Sequence, residues 1–63
     1  MRRFFVRVGK DTPEERIKEL FGQVEMASIP ELEEVAFVTG DMKEREFDEA
    51  AKQVSLIGRI RLH

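Results

Sequence analysis

A chain of 63 residues, 41% of them hydrophobic, suffices for one small domain but not for a deep catalytic cleft. It contains no cysteine, which excludes disulfides and zinc–thiolate sites, and its lone histidine, His63, cannot form a metal cluster. No apolar run is long enough to span a membrane and no signal-peptide pattern appears. We therefore expect a single non-enzymatic cytoplasmic domain, excised from a longer protein, with no cofactor, no metal and no membrane contact.

The net charge of −2 conceals an uneven distribution of charged residues along the chain. All 13 acidic residues lie between Asp11 and Glu49, whereas residues 1–10 and 55–63 contain only basic ones. A local field steers a charged partner more strongly than the net charge does. If the two ends form neighbouring strands, they should create a basic face backed by acidic helices.

The first predicted element is a strand over 2–8, in which successive side chains point to opposite faces of a sheet. One face is purely apolar and belongs to the core; it carries Phe4, Val6 and Val8. The opposite face combines one aromatic ring with two guanidinium groups, those of Arg3, Phe5 and Arg7. Burying unpaired charges is costly, so this second face should remain open.

A helix is predicted over 12–22, after a loop at residues 9–11. Thr12 and Glu15 have the spacing of a capping box, and Pro13 suits the first helical position. Apolar residues then recur at i, i+3, i+4 and i+7, the spacing of an amphipathic stripe: Ile17, Leu20, Phe21 and Val24.

Two strands are predicted in the middle of the chain. Residues 25–32 indicate an edge strand with a bend, because Pro30 cannot donate a ladder hydrogen bond. After a turn at 31–34, residues 35–39 are apolar on both faces and are typical of a central strand, which Gly40 ends.

A second helix is predicted to begin at Asp41, with Glu44 as its capping partner. It carries the same apolar stripe, made of Phe47, Ala50, Ala51 and Val54. The last strand covers residues 56–62. We expect its apolar residues to face the core and its basic residues to face the open side; these are Ile60 and Leu62, and Arg59 and Arg61, respectively.

The predicted order β-α-β-β-α-β indicates an α+β fold, the ferredoxin-like sandwich with a four-stranded antiparallel sheet and two helices on one face. In this topology the first and third strands are central, and the fourth lies beside the first. Arg59 and Arg61 would then join Arg3, Phe5 and Arg7 in one basic, aromatic patch.

Five segments together resemble the RNA recognition motif (RRM) family over nearly the whole chain. Phe4–Gly9 is similar to that family's hexamer on the first strand, and Val35–Thr39 to its octamer on the third. The segments Thr12–Gly22, Phe47–Ala51 and Ile57–Leu62 resemble its two helices and its closing strand. The octamer departs from the pattern in having acidic residues before Val35 and Gly40 in place of its last aromatic residue.

The resemblance implies that single-stranded or structured RNA binds on the open face of the sheet. Bases would stack on Phe5 and Phe37, while arginines would contact phosphates. The implied RNA-binding residues are Arg3, Phe5, Arg7, Phe37, Thr39, Arg59 and Arg61. It also implies an accessory domain of a larger RNA-processing protein, such as a bacterial DEAD-box RNA helicase, with contacts to the rest of that parent chain.

Two other functions remain open from the sequence. Residues 11–13 resemble the start of the ligand loop of ACT-type regulatory domains, which bind small molecules such as amino acids, although Glu14 replaces that loop's glycine. Alternatively, Phe5, Val35 and Phe37 would form an apolar patch bound by another protein. The pattern also allows Phe37 to face the helices, in which event it would pack in the core.

Overall fold

The computed structural model describes residues 2–27, 31 and 33–62, and it has the predicted order of elements. Ser28, Ile29, Pro30 and Leu32 lie outside the described residues, so the predicted bend at Pro30 lies outside them too. The elements are β1 (Arg3–Gly9), α1 (Glu14–Phe21), β2 (Val24–Met26), β3 (Glu34–Thr39), α2 (Glu44–Ala51) and β4 (Leu56–Leu62).

The four strands form one antiparallel sheet in the order β2-β3-β1-β4, which confirms the ferredoxin-like fold. β1 and β3 are central, and β4 lies beside β1 at one edge. β2 forms the other edge and is only three residues long. No helix among the described residues is both long and apolar enough to cross a membrane.

Both helices pack on one face of the sheet, where aromatic rings form the centre of the core. The Phe4 and Phe47 rings stack with centroids 4.0 Å apart, and Phe21 lies 5.1 Å from Phe37. Ile17 on α1 is also fully buried. Burial of each such side chain stabilises the fold by about 1.5–3 kcal/mol. The first three residues of each predicted apolar stripe are confirmed on the helices, since they are buried or packed against this core. The fourth residues, Val24 and Val54, also pack against it, but from β2 and from the segment after α2.

The predicted capping box of α1 is wrong. The helix begins at Glu14 after Pro13, and no side chain caps it. Thr12 instead donates its main-chain N–H to the Gly9 carbonyl, 3.0 Å away, in the turn that follows β1. The turn at 9–12 therefore precedes the helix. Pro13 is its N-cap residue, and the Pro13 carbonyl accepts a hydrogen bond from the Ile17 N–H.

The predicted start of α2 at Asp41 is also wrong. Met42 and Arg2 exchange two main-chain hydrogen bonds of 2.9 and 3.1 Å, which hold this segment extended. The helix therefore starts after Lys43, whose N–H donates to the Glu46 carboxylate at 3.1 Å. This contact is one half of a capping box, two residues later than predicted.

Candidate binding face of the sheet

The face of the sheet that the helices leave uncovered is called the open face here. Cross-strand partners in a ladder share a face, so the register assigns every strand residue to one side. The described strand residues on the open face are Arg3, Phe5, Arg7 and Gly9 of β1, Glu34, Ala36 and Val38 of β3, Gly58, Ile60 and Leu62 of β4, and Glu25 of β2.

A β-bulge near the start of β4 decides which of its side chains reach the open face. Val8 is opposite Leu56, but Arg7 is opposite Gly58, so Ile57 is an extra residue without its own partner. Shifting a strand by one residue exchanges its two faces. The register before the bulge would have given the predicted arrangement; after the bulge, every later side chain points the other way.

The predicted placement of Arg59 and Arg61 on the open face is therefore wrong. The two residues are opposite Val6 and Phe4, whose side chains belong to the helix-covered face. Ile60, predicted to face the core, lies beside Phe5 on the open face. The predicted adjacency of the two strands is confirmed, whereas the predicted four-arginine patch does not form.

Both displaced arginines reach the carboxylates of α2. Arg59 Nη1 is 2.6 Å from Asp48 Oδ1, and its guanidinium carbon is 5.1 Å from the centre of the Phe47 ring. Arg61 Nη1 is 3.1 Å from Glu44 Oε1. Their long aliphatic stems allow arginines on the covered side of an edge strand to keep their charges in water. These exposed pairs contribute little stability individually.

Phe37 and Thr39 also lie on the covered side, contrary to their predicted role on an open face. The Phe37 side chain is 0% exposed, so no base can stack on it in the folded domain. The Thr39 side chain is equally buried; its Oγ1 accepts the Phe4 N–H at 3.0 Å and donates to the Gly40 carbonyl at 2.9 Å. Of the two readings that the sequence left open for Phe37, core packing is the one observed.

The arginines that do occupy the open face are each held beside an acidic residue. Arg7 Nη1 is 3.5 Å from Glu34 Oε1. Arg3 Nη2 is 3.9 Å from Glu25 Oε1, and Arg3 Nε donates to the Thr39 carbonyl at 3.3 Å. Because two carboxylates balance two guanidinium groups, the described part of the open face has no net charge.

The centre of the open face is apolar across three strands. Phe5 is directly opposite Val38 on one side and Ile60 on the other, and the Ile60 side chain is 60% exposed. Neighbouring strands are about 4.8 Å apart, so this row is about 10 Å wide. With two flanking residues it makes up the apolar cluster: Phe5, Ala36, Val38, Ile60 and Leu62.

Ile60 and Leu62, both predicted to face the core, lie on this face instead, together with Val38. One signal was available, since an isolated glycine within a strand pattern suggests a bulge, and Gly58 follows the bulged Ile57 directly. No local pattern identifies the partners of the arginines, because the acidic residues come from distant parts of the chain.

The loop proposed for a small molecule borders an open depression of about 400 Å³ between α1 and the end of α2. Both of its basic groups are engaged already: Arg16 donates to Gln53 at 2.9 Å and pairs with Glu19 at 3.1 Å, and Lys52 pairs with Glu49 at 3.4 Å. Within residues 2–27, 31 and 33–62, no group of three or more histidine or acidic side chains could hold a metal ion.

Comparison with family models, curated proteins and solved structures gives no match to this chain. The resemblance to RNA recognition motifs therefore rests on the sequence segments, and the ferredoxin-like fold rests on the structure.

Proposed function

We propose that this chain is a non-catalytic protein-association domain, which binds an apolar surface of another protein on its open face. The observation that supports this proposal is the apolar cluster, which is continuous across three strands while the neighbouring charges are paired. An electrically neutral, apolar face is suited to a protein partner more than to a polyanion.

The composition of the open face differs from that of a solvated sheet. An antiparallel sheet with one face in water usually alternates apolar residues inside with polar residues outside. Single apolar side chains on a surface are common and need no explanation. A contiguous group that includes Phe5 and the well-exposed Ile60 is instead typical of an interaction site.

The chemistry of the open face favours an amphipathic helix as its partner. The two helices on the covered face bind the same sheet through narrow apolar stripes with charged flanks. Two helical turns span about 11 Å, close to the width of the apolar row. The Arg3–Glu25 and Arg7–Glu34 pairs flank the cluster, so they offer both signs of charge to the polar flanks of such a helix.

A peptide titration monitored by NMR tests this proposal. The probe is a synthetic amphipathic helix with leucines at i, i+3, i+4 and i+7, and the control peptide has the same residues in an order without a stripe. We expect shift changes centred on Phe5, Val38 and Ile60 with the first peptide alone. Phe5→Asp should abolish them, whereas Leu56→Asp, on an exposed residue away from the open face, should not. Equal binding of both peptides, or no binding, would contradict the proposal.

A second candidate function is the binding of single-stranded RNA, as part of a larger RNA-processing protein. The observation that favours it is the position of Phe5 between Arg3 and Arg7 on one face of a central strand. One base stacked on this ring would contribute about 1–3 kcal/mol. Each arginine would have to exchange its carboxylate for a phosphate, which makes binding weaker than the predicted two-ring, four-arginine site.

Neutralising the competing carboxylates distinguishes RNA from a protein partner. The double variant Glu25→Gln/Glu34→Gln leaves Arg3 and Arg7 unpaired on the open face. RNA binding on this face should then tighten, and its salt dependence should steepen by up to about two phosphate contacts. Binding of the helical peptide should change little. RNA affinity that is unchanged in the variant would rule out RNA contact by these arginines.

The double variant Ile60→Arg/Leu62→Arg provides a gain-of-function test of the same candidate. The two new guanidinium groups would lie on the open face opposite Phe5 and Arg3, where the predicted arrangement has Arg59 and Arg61. Electrophoretic mobility shifts with an RNA pool should then show tighter binding, which Phe5→Ala should reverse. A double variant that folds and still binds RNA no better would count against this candidate.

A further inference from the structure

The outer edge of β4 is a second surface of the domain, and no other described strand pairs with it. β4 is seven residues long and, among the described strands, pairs with β1 alone, whereas β2 at the opposite edge is three residues long. Every large hydrophobic side chain that is exposed among the described residues lies on β4: Leu56, Ile57 and Ile60. An edge that is long and apolar is a template for pairing with another strand.

The register shows which main-chain groups face outward along this edge. The Phe4 N–H points toward β3, where it meets Thr39, and the Gly9 N–H points toward β4, where it meets Ser55. Odd-numbered residues of β1 therefore bond to β4, and their partners include Ile60. The N–H and C=O groups of the intervening residues Arg59 and Arg61 consequently point away from the sheet.

The usual protections of an edge strand are weak along the last part of β4. Natural edges are shortened, interrupted by proline or guarded by charged side chains. Residues 58–62 contain no proline and follow the bulge in regular pairing with β1. The guanidinium groups of Arg59 and Arg61 pair with Asp48 and Glu44 on α2, so they do not guard the main chain of this edge.

We propose that β4 pairs in antiparallel orientation with β4 of a second copy of this chain, about a two-fold axis at Ile60. Arg59 of each copy would exchange main-chain hydrogen bonds with Arg61 of the other. The two Ile60 side chains would then meet on the open face, and each Leu62 would lie beside the other copy's Gly58, which has no side chain. The sequence Gly58-Arg59-Ile60-Arg61-Leu62 is thus self-complementary in this register.

The charges on the covered side are also compatible with a second copy. The arrangement brings four guanidinium groups together, those of Arg59 and Arg61 from both copies. Asp48 and Glu44 of the two α2 helices supply four carboxylates beside them, so each cation keeps a partner. Like charges directly opposite each other on neighbouring strands would otherwise oppose pairing.

The experiment is sedimentation velocity on the 63-residue chain over about a hundredfold concentration range near and above micromolar, because an edge contact is smaller than a standard interface. Two changes remove the contact by independent means: Ile60→Lys alters only an exposed side chain, and N-methylation of the Arg61 amide in a synthetic chain blocks an outward donor. Leu56→Lys is the matched control, since Leu56 is exposed on the same strand but lies outside the paired segment.

We expect a monomer–dimer equilibrium in the parent chain and in Leu56→Lys, and a monomer at every concentration in the other two. A parent chain that stays monomeric would overturn the proposal, as would a dimer that persists after N-methylation of Arg61. Docking of a helix on the open face does not require this amide. The peptide titration repeated on the N-methylated chain therefore tests the proposed function separately.

Discussion

The two faces of this sheet carry aromatic rings at neighbouring positions, yet the rings differ in burial. Phe4 and Phe5 are consecutive in β1, and Phe37 is opposite Val6. Phe4 and Phe37 on the covered face are buried beneath two helices, while Phe5 on the open face stays partly exposed. All three rings lie on the two central strands. The face to which a ring belongs decides its role in this fold, and its position within a motif does not.

The arginines of the two faces, unlike the rings, share one environment: each is paired with a carboxylate. Arg59 on the covered side and Arg7 on the open side each lie beside a carboxylate from a different element. The basic ends of the chain therefore do not create a basic surface, because the acidic middle folds back onto them. Charge segregation along a sequence predicts a patch only when the oppositely charged segments remain apart.

Truncating rings on the two faces should have very different effects on stability. Phe37→Ala should lower the free energy of unfolding by about 3–5 kcal/mol, because it leaves a cavity in the core. A domain of this size has only about that much stability in total, so the variant should be largely unfolded. Urea denaturation followed by circular dichroism measures the free energy of unfolding of the variant and of the parent chain. A cooperative unfolding transition at nearly the parent midpoint would contradict the assignment of Phe37 to the core.

The next largest effect concerns the buried hydroxyl of the covered face. Thr39→Val keeps the shape of the side chain but leaves the buried Phe4 N–H without an acceptor. The cost should be about 1–3 kcal/mol in the same denaturation experiment. Thr39→Ser, which retains the oxygen, is the control and should lose less.

A smaller effect is expected from the ion pair that holds Arg59 on the covered side. Asp48→Asn should cost no more than about 1 kcal/mol, since both side chains are roughly half exposed and screened by water. The loss should shrink in high salt, and the exposed Glu49→Gln provides a comparison at a similar site on α2. A large, salt-independent loss would show that the Arg59 contact with Phe47 matters more than its charge.

The smallest effect on folding should come from the open face itself. Ile60→Thr retains β-branching on an exposed strand position and should change stability by no more than about 0.5 kcal/mol. The same substitution should weaken binding of the helical peptide, which isothermal titration calorimetry can measure. Stability lost in parallel with binding would mean that Ile60 belongs to the core of the domain.

Much of the fold follows from local patterns in the sequence. The alternation in β1 and the stripes on both helices predict the elements, their order and the buried residues Phe4, Ile17 and Phe47. Each of these signals repeats over several residues, so one atypical residue within the repeat does not change the prediction.

The candidate site was harder to predict because it depends on single residues. One bulged residue, Ile57, exchanges the two faces of β4, and no periodic pattern reveals such an insertion. Partners such as Glu25 and Glu34 approach the arginines only in the folded sheet. The faces of a strand that is apolar on both sides, such as β3, are fixed by pairing and not by composition.

A neutral, apolar open face should bind an amphipathic helix in preference to RNA. The most direct test is a pair of NMR titrations on one labelled sample at low salt, first with the amphipathic helical peptide and then with a short single-stranded RNA pool. We predict that the peptide shifts the signals of Phe5, Val38 and Ile60, and that RNA added at the same concentration leaves them nearly unchanged. Strong RNA-induced shifts at Phe5, Arg3 and Arg7, with no response to the peptide, would contradict this account.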